Sequence, residues 1–437
     1  MATILSHTPS SQGNQKKWTF SVWVKRTKLG ALQSIFGSGT GSYHTRIYFD
    51  TDDKLKWNNY SGGSYAGQKH SNAVFRDTNG WSHFVFRVDT TSSTASERMR
   101  MYVNGEQITS LGTSGDPSQN QNFEVGHTGV HYIGGYSNSA DFEGVMSHFH
   151  YCDAQTYAPT EFGETDSTTG EWKIKTSPSV SYGVSGAFIL KNGNSLTDQS
   201  GLGNNWSVGS GTLTKTEDNP SNNFATWYAD SFDKGNQVSF SNGNNTTADA
   251  GGTSDYDPKA WTTLGANTGK YYCEMKLTAF NTGRSYRAGV WFTNGNFSHE
   301  SNANCFSGVK YTITGNAVTI YSFGSDVQSG LASFSAGDIL GVAVDIDNGT
   351  IQYYKNGATY GSQITGLSSN FSGKSMMFCH TGEAGGGRTF TIDANFGNGY
   401  FGTTAVSSAG TNASGNGIFE YDVPTGYTAL STKGLNL

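Results

Sequence analysis

The stretch KWNNYSGGSY, from Lys56 to Tyr65, brings Trp57, Asn58, Asn59, Tyr60 and Tyr65 into one turn-rich segment. Those residue types suit sugar binding: aromatic rings stack on the apolar faces of a sugar, while amides and backbone groups meet its hydroxyls. Trp57, Asn59, Tyr60 and Tyr65 are therefore the expected ligand-binding residues of the first half. The plainer reading is that Trp57 closes a strand and packs inward. In the second half, NTGRSYR (Asn281 to Arg287) sets Arg284 and Tyr286 on a loop between strands. Arg and Tyr are enriched at the centres of protein interfaces, so these two are the expected contact residues there. An ordinary surface hairpin tip is the alternative.

Other clusters promise less chemistry. In SHFHYCD, His148, His150 and Cys152 project to one face of a strand, and imidazole and thiolate are zinc ligands. Evenly spaced positions on one strand converge poorly on a tetrahedral ion and no second cluster is evident, so hydrogen-bonded imidazoles are expected and no metal. A glycosidase needs two carboxylates flanking the scissile bond, supplied here by alternating positions of a groove-lining strand. Glu161, Glu164 and Asp166 of EFGETD fall instead in a glycine-rich loop, and DTDDK (Asp50 to Lys54) reads as a turn at a strand end. EAGGGR (Glu383 to Arg388) lacks the Lys-Ser/Thr ending and the following helix of a phosphate cradle. No catalytic residue and no cofactor are expected.

Composition sets the frame for these residues. With 437 residues the chain exceeds one ordinary core, which implies two domains and connecting material. Glycine is abundant (58) and proline scarce (7), while charged residues make up 14% against roughly 25% in an average globular protein. An aromatic content of 13% supplies a sizeable core and argues against disorder. A net charge of −6 gives no basic footprint, so nucleic acid is not an expected partner. No run of about eighteen apolar residues occurs, so no membrane insertion is expected. The opening MATILSHTPSSQGNQKKW has no long apolar run, so no signal peptide is expected. Cys152, Cys273, Cys305 and Cys379 lie far apart and read as free thiols.

The elements that must position the candidates are strands. In KWTFSVWVKR, Trp18, Phe20, Val22 and Val24 fall on one side and Thr19, Ser21, Trp23 and Lys25 on the other, the pattern of a half-buried strand. TRIYFD, WSHFVFRVD, RMRMYVNGEQIT and GVMSHFHYCD repeat that alternation, with Ser, Gly, Asn and Thr clusters between them. DILGVAVDIDNGTIQYYKNG (Asp338 to Gly357) reads as strand, turn, strand, turn, with two Asn-Gly pairs suited to tight hairpins. The fold class is all-β: two tandem antiparallel sandwiches at residues 1–158 and 227–400. An ordered connector at 159–226 joins them, and a C-terminal segment follows at 401–437.

Specific motifs add a resemblance. WTFSVWVKR, GWSHFVFRVD and MRMYVNGEQI resemble laminin-G-like domains of the concanavalin A-like (jelly-roll) superfamily. GKYYCEMKL, RAGVWF and DILGVAVDIDNGTIQYYKNG are similar to SPRY domains. The connector's PTEFGETDSTTGEW, SYGVSGAFIL, TDQSGLGNNWSV and DNPSNNFAT resemble linker motifs of structural proteins in tailed bacteriophages, especially marine and cyanobacterial ones. The opening HTPSSQGNQKKWTFSVWVKR and the ending PTGYTALSTKGLN resemble the same group. His148 stands where that group usually has a carboxylate. Laminin-G-like domains commonly bind calcium through loop carboxylates, but no loop here matches a fixed-spacing calcium motif.

The resemblance implies a non-enzymatic virion structural protein, assembled in a bacterial cytoplasm and displayed as a tail fibre or similar adhesin. Its partners would be other virion proteins and a glycan or protein of the host surface, and a fibre would be a homotrimer. Two alternatives stay open: a capsid decoration or head-fibre protein, and a host-glycan depolymerase.

Overall fold

The computed structural model describes residues 3–137, 139–191, 195–229, 238–249, 258–280, 286–293, 305–311, 318–382 and 390–437. Two compact units result, Met1–Lys215 with Asn219–Ser221, and Thr216–Asp218 with Asn222–Leu437. Both are built from antiparallel sheets, and one helical turn, Ser368–Phe371, is the only α-helix among the described residues. Arg284 and the EAGGGR stretch lie outside the described residues.

The first unit packs an eight-stranded sheet against a six-stranded one. Edge to edge, the larger runs Leu111–Gly115, Ser64–Val74, Lys54–Ser61, Tyr43–Phe49, Gln33–Thr40, His131–Ile133, Ile4–His7 and Ser207–Ser210. The smaller runs Ala187–Ile189, Gly144–Asp153, Lys17–Arg26, Ser82–Asp89, Met99–Val103 and Glu106–Gln107. Alternation does the sorting. Ile47, Phe49, Leu55 and Trp57 from one sheet meet Trp18, Phe20, Phe84 and Phe86 from the other in a single core. Trp18 and Trp57 touch at 5.6 Å between ring centroids, and Trp57 meets Phe86 edge-on at 5.5 Å. Burying such a ring stabilises by several kcal/mol, about 25 cal/mol for each Å² removed from water.

One charged group is pinned inside. Asp53, 3% exposed, accepts from Arg26 Nη2 at 3.1 Å, Arg76 Nε at 2.9 Å and the Gly30 amide at 2.8 Å. The Arg26 guanidinium lies over the Phe49 ring at 4.3 Å. Three loops therefore share one carboxylate, whose hydrogen bonds hold it below the usual carboxylate range against the cost of burial.

The strand Lys17–Arg26 is buried on both faces, which corrects the half-buried reading. Its second face is covered by residues of the expected connector. Trp172 lies over His83, which in turn stacks on Trp23, with centroids 6.0 and 4.8 Å apart. Trp172 Nε1 donates to His83 Nδ1 at 3.1 Å, so His83 Nε2 carries the hydrogen and donates to Ser21 Oγ at 2.8 Å. Gly105 and Gly163 leave the room: a Cβ on either would sit 2.7 or 2.6 Å from the indole. Further connector residues extend the sheets, Ala187–Ile189 beside Gly144–Asp153 and Ser207–Ser210 beside Ile4–His7.

In the second unit, the larger sheet runs Val238–Ser241, Thr246–Asp249, Phe390–Asn395, Lys270–Phe280, Ile339–Asp345, Thr350–Lys355 and Ala358–Ile364. The smaller runs Pro258–Trp261, Ser375–Gly382, Tyr286–Thr293, Phe306–Tyr311, Val318–Ser322 and Ser325–Leu331. The two Asn-Gly pairs make different turns. Lys355 pairs with Ala358, leaving Asn356 (φ +49°) and Gly357 (φ +79°) as a two-residue hairpin turn. Asp345 pairs with Thr350, leaving a longer loop that closes because the Asp345 carboxylate accepts from the Asn348 amide and Nδ2.

The C-terminal segment belongs to this unit. Thr428–Ala429 pairs in parallel with Tyr271 and Tyr272, and Phe419 and Val423 pack on Tyr272. Buried Glu274 accepts the backbone amides of Glu420 and Tyr421, both at 2.9 Å.

Two outcomes follow. Replacing Asp53 with Ala strands the buried Arg26 charge and is expected to cost about 3–5 kcal/mol in denaturant unfolding, whereas Asp52→Ala changes it by no more than about 1 kcal/mol. Acid should also weaken the first unit. Burial drops the His83 and His131 imidazoles to about 3, so they stay neutral in the fold while the unfolded chain takes up protons near pH 6.5. Their contribution is whole above about pH 6.5 and is lost as pH falls toward about 3. Unfolding followed across that range should show the decline, and His83→Gln should reduce its slope.

Candidate functional site

The outer face of the first unit's large sheet carries a set of ring and polar side chains, most of them partly exposed, with Asn58 buried at 5%. Register fixes the set. Tyr132 pairs with Gly37, Gly37 with Arg46, Arg46 with Asn58 and Asn58 with Gln68, so one row crosses five strands on the outer face. A second row joins Tyr48, Lys56 and His70, and a third joins His44, Tyr60 and Tyr65. Their neighbours along each strand, Thr45, Ile47, Phe49, Leu55, Trp57 and Asn59, are buried.

The rings form a continuous strip. Centroid separations are 6.5 Å for Tyr132–Tyr136, 5.6 Å for Tyr136–His44, 5.1 Å for His44–Tyr60 and 5.2 Å for Tyr60–Tyr65. Strands lie about 4.8 Å apart, so a strip over five strands has the length of several sugar rings. Gly37 makes it possible, because a Cβ there would lie 2.5 Å from Tyr136 Cδ2. The bare backbone lets the Tyr136 ring lie down on the sheet.

Polar groups beside the strip are held in fixed directions. His70 Nε2 lies 2.8 Å from Asn58 Oδ1, and Asn58 Nδ2 donates to the Tyr48 hydroxyl at 3.1 Å. An amide oxygen only accepts, so Nε2 carries the imidazole hydrogen. Burial, reinforced by Lys56, lowers the His70 pKa and keeps the ring neutral. The Tyr48 hydroxyl accepts from Asn58 and keeps its own hydrogen available. Arg46 Nε donates to Ser34 Oγ at 2.7 Å, and its guanidinium lies over Tyr48 at 4.7 Å and Tyr136 at 5.3 Å. Lys56 Nζ is 2.5 Å from Asp50. Fixed donors beside flat rings are what orienting a polyhydroxylated ligand requires.

The sequence reading named this hairpin but mixed its two faces. Trp57 and Asn59 are each 0% exposed, which corrects their expected role. Trp57 is a core ring, and Asn59 accepts from Thr45 Oγ1 at 2.9 Å inside the sandwich. Tyr60 and Tyr65 do lie on the open face, with Tyr65 56% exposed. Tyr286 is also corrected: it is buried and stacks on Phe390 at 4.1 Å. Asn58 belongs to the KWNNYSGGSY stretch but not to the expected binding set, and Arg46, Tyr48, His70, Tyr132 and Tyr136 carry no expectation from the sequence. Alternation in TRIYFD could have shown Arg46 and Tyr48 sharing the face opposite Ile47 and Phe49; nothing local announces Tyr132 or Tyr136.

The other clusters are committed to structure. His150 Nδ1 lies 2.9 Å from the Tyr182 hydroxyl, and its ring stacks on Phe188 at 4.0 Å. His148 Nδ1 lies 2.7 Å from Ser147 Oγ, and burial pushes the Cys152 thiol up. Asp166 accepts from the Thr168 and Thr169 amides, and Lys173 pairs with both Glu164 and Asp166. In DTDDK, Asp50 is bound to Lys56 and Asp53 to Arg26 and Arg76. Among the described residues no group of His, Cys, Asp and Glu is placed to hold a metal ion.

Residues 3–156 match the sequence model of the family described as the Concanavalin A-like lectin/glucanases superfamily. That match lies within the first unit. No curated protein sequence matches the chain. Among solved structures, the chain is similar to the mouse laminin alpha1 chain domains LG4-5, at 8% identity and a TM-score of 0.28, covering 98% of this chain and 84% of that one. It is also similar to the SPRY domain of human HERC1, at 17% identity and a TM-score of 0.27, covering 34% and 86%. The CBM40 of a Ruminococcus gnavus IT-sialidase is similar at 16% identity and a TM-score of 0.28, covering 37% and 94%.

Adding one methyl at Gly37 should test the strip's construction. Gly37→Ala is expected to lift the Tyr136 ring away from Arg46 in a crystal structure of the variant, while the unfolding free energy falls by no more than about 2 kcal/mol.

Proposed function

We propose that the protein is a non-enzymatic recognition protein whose first unit binds glycan on the open face of its larger sheet. The observation that carries this reading is the ring strip from Tyr132 to Tyr65, flanked by oriented Asn58, His70, Tyr48 and Arg46. A glycan is favoured over a protein ligand because the second unit's candidate Tyr286 is a core residue. The match to a lectin/glucanase superfamily supports the same reading.

The setting proposed is a tailed-phage particle, on the strength of the connector and terminal motifs. There the protein is a surface-displayed tail fibre or similar adhesin touching the host cell, assembled as a homotrimer in the host cytoplasm. Many copies on one particle turn weak sites into firm attachment by raising effective concentration. A capsid decoration protein would carry the same fold and motifs in another place. A depolymerase would need an opposed carboxylate pair, and Glu164 and Asp166 are instead engaged by one lysine.

Binding of the full chain to host-surface polysaccharide, followed by calorimetry, tests the glycan reading. Tyr60→Ala with Tyr136→Ala should weaken binding at least about tenfold, or about 1.4 kcal/mol, with no new reducing ends released by either protein. Undiminished affinity would remove this face as the site. Gold-labelled antibody on purified particles tests the setting: label along tail fibres is expected, and label confined to the capsid would move the protein to the decoration class.

A further inference from the structure

Arg46 stands out on the open face for what it leaves unused. A guanidinium carries five N–H donors. Here Nε serves Ser34 Oγ, a neutral partner, and Nη2 is buried without any acceptor. Among the described residues no carboxylate is within ion-pair distance of Arg46. Asp50, the carboxylate that acts on it through space, is itself bound by Lys56 Nζ at 2.5 Å. Close contact with the charge comes from the faces of Tyr48 and Tyr136 and contributes about 0.5–2 kcal/mol, while Asp50 acts only through space.

A half-buried cation with no carboxylate in contact is costly, and burial acts against its charged form. An arriving carboxylate offsets that cost, because the planar fork binds two oxygens at once. The surroundings set what the carboxylate is attached to. Rings on both sides supply stacking surfaces, and the Tyr48 hydroxyl, which accepts from Asn58, has its own hydrogen to offer a hydroxyl or ring oxygen. A free inorganic anion would use only the guanidinium; a carboxylate-bearing sugar uses all of it.

Resting on the glycan reading, we propose that Arg46, Tyr48 and Tyr136 form the acidic-sugar subsite of this face. The carboxylate of a uronate-type residue meets the Arg46 guanidinium, and neighbouring sugars stack along Tyr136, His44 and Tyr60. Nη2 is closed off in the unliganded arrangement, so the flanking rings open to admit the ligand. Tyr136 is suited to that movement: it is partly exposed and begins a small surface turn closed by its mutual hydrogen bonds with Ser139.

The experiment is calorimetric titration of the full chain with an oligogalacturonate and with its fully methyl-esterified, neutral counterpart. The acid is expected to bind at least about tenfold more tightly than the ester. Arg46→Gln should abolish that ratio, lowering the acid's affinity at least about tenfold. Equal affinity of wild type for both forms would overturn the subsite while leaving the glycan reading standing. Failure to bind either oligosaccharide, together with failure on host polysaccharide, would overturn both. An acid preference that survives Arg46→Gln and disappears at about 0.15 M salt would mean diffuse attraction only and would also overturn the subsite. Should the variant not fold, the wild-type ratio at that salt still decides.

Discussion

Side-chain alternation along two neighbouring strands governs this molecule's surface. In Tyr43–Phe49 and Lys54–Ser61, every second residue is committed to the sandwich core by Ile47, Phe49, Leu55 and Trp57. The remaining residues have no choice but to face outward, and antiparallel register sets Arg46 opposite Asn58 and His44 opposite Tyr60. A slip of one residue would bury the arginine and expose the tryptophan. The cost of burying an unpaired guanidinium and exposing the ring makes that register secure, and the open ring-bearing face is its by-product.

Which outer faces stay open is equally telling. In the first unit, the six-stranded sheet is covered by the Trp172 segment, locked through His83. In the second unit, the larger sheet is covered by the C-terminal segment, held by Glu274. The Trp261, Trp291 and Met377 side chains of the smaller sheet there are buried too. Among the described residues, the first unit's large sheet is thus the face that keeps a run of rings partly accessible. Motifs that carry the phage resemblance, such as TDQSGLGNNWSV, serve the fold directly: Asp198 accepts the amides of Phe188, Ser200 and Asn204 and so closes its own loop.

Strand existence and fold class were legible because period-two patterning is local. The turn at Asn356-Gly357 was legible for the same reason, since positive φ at both positions leaves few residue choices. The site was only half legible. KWNNYS carries aromatic and amide residues on both parities, so composition marked the hairpin without saying which side faced water; Trp57 and Asn59 were chosen where Asn58 and Tyr60 belong. Tyr132 and Tyr136 reach Arg46 through strand order, a non-local property that no short window contains. The double burial of Lys17–Arg26 escaped for a similar reason, because its cover arrives from Trp172, far along the chain.

The parity of these two strands can be read directly by cysteine accessibility, since all four native cysteines are buried. Single cysteines at positions 46, 48, 56 and 60 of the folded protein should react quickly with a maleimide, and those at 45, 47, 57 and 59 should stay protected until the chain is unfolded. Rapid labelling at 57 and 59, with protection at 46 and 60, would contradict the account.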